Sequence, residues 1–110
     1  MEECIFCKII TKELPSKSVY EDDEVLAFPD IHPVRPVHIL VIPKKHISEL
    51  VSLEDTAIIQ KIFAVAQKII KEKGLEGKGY RVTNNGGGAQ IIDHLHFHIM
   101  GPMTKTAVMG

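Results

Sequence analysis

The chain has 110 residues, 45% hydrophobic and 25% charged, with a formal net charge of -1. That length suits one domain over 1–110 that buries a core without help from disulfides. The near-neutral balance argues against a nucleic-acid binder, which is normally basic. No apolar run reaches the roughly 18 residues of a membrane span. Glu2, Glu3 and Cys4 open the chain where a secretory signal would carry a basic and then an apolar stretch. No membrane partner is therefore expected, and the cytoplasm is the expected compartment. In that reducing setting, Cys4 and Cys7 suit metal binding or redox work better than a structural disulfide.

In chain order, CIFCKIIT (4–11) reads as a short helical turn, broken at Leu14-Pro15-Ser16. Strand-like runs follow over Ser18 to Glu21 and Glu24 to Phe28, with Asp22-Asp23 as an acidic hairpin turn. Pro29, Pro33 and Pro36 stiffen the loop from Asp30 to Val37. His38 to Ile42 is almost continuously apolar, as a strand covered on both faces would be. The one long helix is expected to begin near Ser52, where Ser52 and Asp55 resemble a capping box. Ile59, Ile62, Phe63, Ala66, Ile69 and Ile70 form its apolar stripe, and Gly74 ends it. Tyr80 to Thr83 is a short strand, and the loop Asn84 to Gln90 leads directly into Asp93-His94-Leu95-His96-Phe97-His98-Ile99. The order β-β-β-α-β-β, with the early strands close enough to pair antiparallel, predicts an α+β fold.

The final segment carries the strongest signal. In a strand, residues i, i+2 and i+4 share a face, so His94, His96 and His98 form one row while Leu95, Phe97 and Ile99 enter a core. Neighbouring rings would root about 6.6 Å apart, and the outer two about 13 Å. A neutral imidazole can attack phosphorus, and the Gly86-Gly87-Gly88 loop before it exposes backbone amides able to cradle a phosphate, with Asn84 and Gln90 as further donors. His-x-His can also serve as a metal pair, although His94 and His98 are too far apart to share one ion in a straight strand. For Cys4-x-x-Cys7, no preceding strand supports a thioredoxin motif. Two thiolates and two imidazoles make a structural zinc site, with His46 and one triad histidine, His94 foremost, as the candidates. A pair of buried cysteines acting as small hydrophobes is the plain alternative.

These blocks resemble the histidine triad (HIT) family of nucleotide-binding proteins: CIFCKII, VYEDDEVLAFPDI, HILVIPKKHI, the NNGGGAQ loop and HLHFHIMG. The resemblance is closest to the Hint, or protein kinase C-interacting, branch of nucleoside phosphoramidases, in its zinc-binding CxxC form. It implies an antiparallel five-stranded sheet with one long helix and a short N-terminal helical turn, the sheet being extended across a homodimer. It implies a hydrolase in which His96 attacks the α-phosphate of an AMP or GMP conjugate, such as a nucleoside 5′-phosphoramidate, to give a nucleotidyl-histidine that water clears. His98 would contact phosphate, His94 would orient the nucleophile through its carbonyl, and His38 would support the row from behind. Asn84 and Gln90 match phosphate-region positions, Asp30 the ribose position, and Ile5, Phe6, Ile9 and Leu14 the base pocket. Cys4, Cys7, His46 and His94 match the ligands of a structural, non-catalytic zinc.

The chain departs from that pattern in several places. Ile91 stands where a serine or threonine is usual after the glutamine, the loop is about one residue shorter, and Ala89 replaces a glycine. His32 replaces a small polar residue, Pro102-Met103 follows Gly101, and the usual C-terminal tryptophan is absent. Leaving-group specificity is the property these changes touch first. Dinucleoside polyphosphate hydrolysis by the same chemistry is a second reading. A zinc-stabilised nucleotide-binding interaction module with little turnover is a third.

Overall fold

The computed structural model describes residues 4–105. Five strands form one antiparallel sheet: β1 (Tyr20–Glu21), β2 (Val25–Pro29), β3 (Val37–Pro43), β4 (Arg81–Asn84) and β5 (Phe97–Gly101), in the order β1-β2-β3-β5-β4. Helices α1 (Ile5–Ile10) and α2 (Ala57–Glu72) complete the α+β architecture. Among the described residues no helix is long and apolar enough to cross a membrane.

Strand alternation sorts the side chains between two cores. Val25, Ala27, Ile39, Val41, Leu95, Phe97 and Ile99 pack with Ile62, Val65, Ala66 and Ile69 of α2. On the opposite face Leu26, Phe28, Leu40 and Ile42 pack with Phe6 and Ile9 of α1. The apolar run of β3 is therefore apolar because both its faces are covered. Full burial of each such large apolar side chain contributes about 1.5–3 kcal/mol.

The first hairpin is closed by Asp22. Its carboxylate accepts from the Glu24 and Val25 amides at 2.8 and 2.9 Å and from the Tyr20 hydroxyl at 2.6 Å, and it meets Lys61 of α2 at 3.0 Å. Burial pushes this carboxyl up, but those donors outweigh it and hold it well below the usual carboxylate range.

Three boundaries differ from expectation, one of them in the histidine segment, where β5 begins only at Phe97 and leaves His94 and His96 ahead of the strand. The first strand is only Tyr20–Glu21, although Val19 still donates to the Ala27 carbonyl at 2.8 Å. The long helix begins at Ala57, not near Ser52: Leu50–Ser52 is a separate 3-10 turn, and Leu53 then runs extended. Asp55 still serves the helix end, accepting from the Ala57 amide at 2.9 Å. Along α2 the buried face includes Val65, whereas Phe63 is 47% exposed and edge-on to Phe97. At the other end Gly74 (φ 70) closes α2, with Leu75 donating to the Ile70 carbonyl.

Candidate active site and metal centre

Helix α1 lies on the same face of the sheet as the histidine row. Cys4 caps it, its Sγ accepting from the Cys7 amide at 3.3 Å, so both sulfurs gather on one side of the first turn. Cys7 Sγ lies 3.2 Å from His46 Nδ1 and 3.6 Å from His94 Nδ1, and Cys4 Sγ lies 3.4 Å from His94 Nδ1. All four ligand atoms fall within 4.8 Å of one another. A tetrahedral ion with bonds of about 2.3 Å to sulfur and about 2.0–2.1 Å to nitrogen needs donor separations of about 3.3–3.8 Å. The four residues could therefore hold a metal ion almost as they stand.

The protonation pattern supports this. His94 is wholly buried, and its Nε2 lies 2.8 Å from the Pro43 carbonyl, which can only accept. The proton is thus on Nε2, and the Nδ1 lone pair faces the sulfurs, the usual arrangement of a ligand held by a second hydrogen bond. Burial pulls the ring down to about 4, with the Pro43 carbonyl opposing and His46 and His96 adding to the fall. Burial, reinforced by the Cys4 sulfur, pushes the Cys7 thiol up to about 11. A bound cation would take the place of that thiol proton.

His94 also reaches the next histidine. His96 Nδ1 lies 2.7 Å from the His94 carbonyl, so this nitrogen carries the proton and Nε2 keeps the free lone pair. The His96 ring is buried, stands edge-on to Phe6 at 5.2 Å, and lines a cavity of about 870 Å³. Ile5, Phe6, Ile9 and Phe28 wall that cavity on one side, and Asp30, His38 and His98 also line it.

A chain of hydrogen bonds sets the other two rings. The Val34 amide donates to His38 Nδ1 at 3.1 Å, leaving the proton of His38 on Nε2. His38 Nε2 meets His98 Nδ1 at 2.9 Å and the Asp30 carboxylate at 3.5 Å. His98 Nδ1 is consequently the acceptor, and its Nε2–H is the free donor. Burial lowers the His98 pKa, His96 and His38 add to this, and Asp30 opposes it. Asp30, His38 and His98 also cluster within metal-ligating range. Here, however, the nitrogen nearest Asp30 carries a proton, and moving it to Nδ1 would set it against the Val34 N–H. This cluster is a hydrogen-bond relay.

Some expected site residues lie elsewhere. Asn84 does not line the cavity; its amide donates to the His96 carbonyl at 2.9 Å, because its place in β4 opposite Phe97 turns it from the histidine face. The neighbouring Asn85 lines the cavity instead. Gln90 is spent within its own loop, accepting from Gly88 and donating to Asp93, each at 3.0 Å. Leu14 is also outside the lining. The glycine loop does bind an anion, but Gly87 (φ 66) donates to the Glu49 carboxylate at 2.9 Å. Ala89, Ile91 and Ile92 are left to face the cavity, Ile91 being 95% exposed. Alternation along β4 was the one signal that could have picked Asn85 over Asn84.

Comparison with known proteins bears on this arrangement. A family model described as scavenger mRNA decapping enzyme C-term binding matches residues 3–110. Protein HitA of Neisseria gonorrhoeae is 43% identical over 104 residues, covering 92% of this chain and 97% of that protein. A histidine triad protein from Clostridium difficile is 50% identical, with a TM-score of 0.89 and 96% of each chain covered. A HIT family hydrolase from Legionella pneumophila is 39% identical, with a TM-score of 0.88, covering 98% of this chain and 100% of that one. Matches of this identity over nearly the full length of both partners establish common descent, and the chain belongs to the histidine triad family.

Proposed function

We propose that the protein is a nucleotide hydrolase cleaving nucleoside 5′-phosphoramidates or related AMP or GMP conjugates at the α-phosphorus. The observation that carries this reading is the bond from His96 Nδ1–H to the His94 carbonyl, which leaves Nε2 as the free lone pair of a ring lining the cavity. Nε2 attacks phosphorus and the P–N or P–O bond to the leaving group breaks. The leaving group takes a proton from solvent water at the cavity and departs as the amine or alcohol, and a second water then attacks phosphorus, breaks the P–Nε2 bond and releases the nucleoside monophosphate from His96. The His98 Nε2–H donates to a non-bridging phosphate oxygen, Asp30 takes the ribose hydroxyls, and the wall of Ile5, Phe6 and Ile9 receives the base. The Legionella relative's description as a hydrolase supports an enzyme.

The second element of the reading is a structural zinc on Cys4, Cys7, His46 and His94, for which two sulfurs and two imidazole nitrogens are a suitable set. The third is a homodimer. β4 is a sheet edge, and exposed Tyr80, Val82 and Phe63 offer apolar surface for a second copy. One observation favours an interaction module with little turnover instead: Ile91, at the cavity rim, brings no hydroxyl to a leaving group.

Release of AMP from adenosine 5′-phosphoramidate tests the enzyme. Wild-type protein is expected to turn over, and His96→Ala to lose at least about 10³-fold in rate. Intact-mass analysis of quenched wild-type protein is expected to show a covalent AMP adduct that the variant lacks. Equal, negligible rates in both would reject the enzymatic reading and leave the binding module.

A further inference from the structure

We infer that a metal ion in the Cys4–Cys7–His46–His94 cluster governs ligand affinity in the adjoining cavity and the setting of His96, because both sites are built from α1 and His94. The inference rests on the nucleotide reading above.

Helix α1 is six residues long, far too short to persist by its own hydrogen bonds. It is held by the burial of Phe6 and Ile9 and by the two sulfurs that flank Phe6 in sequence. Phe6 meets both histidines edge-on, His94 at 5.8 Å and His96 at 5.2 Å, while forming part of the cavity wall. From the other side, His94 offers Nδ1 to the sulfurs and its carbonyl to His96. Two routes therefore join the sites, one through the Phe6 ring and one through the His94 backbone. Without an ion the four donors are linked only by sulfur–nitrogen contacts of 3.2–3.6 Å. With an ion, coordinate bonds fix both ends of the Phe6 turn and the orientation of His94. Such coupling is reciprocal: if metal tightens nucleotide binding by some factor, nucleotide tightens metal binding by the same factor.

The test uses protein without a His tag, stripped by chelator and then reloaded with Zn²⁺, with AMP as the probe in titration calorimetry. AMP is expected to bind about tenfold tighter to the zinc-loaded form, and zinc about tenfold tighter when AMP is saturating. Hydrogen exchange of the α1 amides is expected to slow on loading, and the His96 ring ¹⁵N signals to sharpen at constant pH. If stripping unfolds the chain, His46→Ala, which lies outside the cavity lining, weakens the site enough to follow AMP affinity against zinc concentration. AMP affinities equal within about twofold, with unchanged α1 exchange and His96 signals, would overturn the inference. AMP binding to neither form would overturn the nucleotide reading, and the His96 signals would then decide the coupling.

Discussion

The Cys4–Cys7–His46–His94 cluster and the Asp30–His38–His98 cluster lie on one side of the same sheet, joined by the segment that runs from His94 into β5. His94 and His38 both carry the ring proton on Nε2, yet their neighbours use Nδ1 differently. At His94 a carbonyl, that of Pro43, takes the Nε2 proton and frees Nδ1 toward two sulfurs. At His38 a backbone amide, that of Val34, occupies Nδ1 and forces the proton to Nε2, between His98 and Asp30. Histidine thus becomes a link in a hydrogen-bond relay in one place and part of a metal-ready set in the other. Whether a backbone amide occupies Nδ1 decides which.

The difference can be stressed from its shared support. Leu95 lies between the two arms on the opposite face, 2% exposed in the α2 core. Leu95→Ala is expected to cost about 2–5 kcal/mol in denaturant unfolding while leaving zinc content unchanged. Loss of zinc in the folded variant would mean that the cluster is not held locally. Next in size, His38→Ala leaves the Val34 amide and His98 Nδ1 without their partner. Unfolding is expected to lose about 1–3 kcal/mol and AMP affinity to fall, again with zinc retained. A change in zinc content would show that the two clusters depend on each other.

A smaller effect concerns pH. His98 is kept below the ordinary histidine value chiefly by burial, with His96 and His38 adding and Asp30 opposing. The unfolded chain takes up this proton at higher pH than the folded one, so stability is full above the unfolded value of about 6.5 and falls as pH drops through it. The loss levels off once the folded value is passed. Unfolding midpoints of zinc-free protein at about pH 7.5 and about pH 5.5 should show the fall, to which His94, pulled down to about 4, also contributes, and His98→Asn should lessen it. An identical fall in the variant would show that His98 contributes nothing to it.

Local alternation made much of this legible. The apolar run of β3 announced a strand covered on both faces. The histidine row announced a strand as well, but only His98 lies in it, and His94 and His96 reach the same side from the segment before it. What the sequence hid was non-local or depended on strand parity. Asn84 and Asn85 are chemically identical, and only the pairing of Thr83 with His98 decides which one reaches the cavity. The glycine loop read as a phosphate cradle, but Glu49, from the segment after β3, supplies the anion at Gly87. The proton positions depend on Pro43 and Val34, whose carbonyl and amide carry no signature in side-chain type.

Zinc X-ray absorption on tag-free protein given one equivalent of Zn²⁺ tests the contrast between the clusters most directly. Two sulfur ligands at about 2.3 Å and two nitrogens at about 2.0–2.1 Å are expected. A shell of nitrogen and oxygen alone, as Asp30, His38 and His98 would provide, would contradict it.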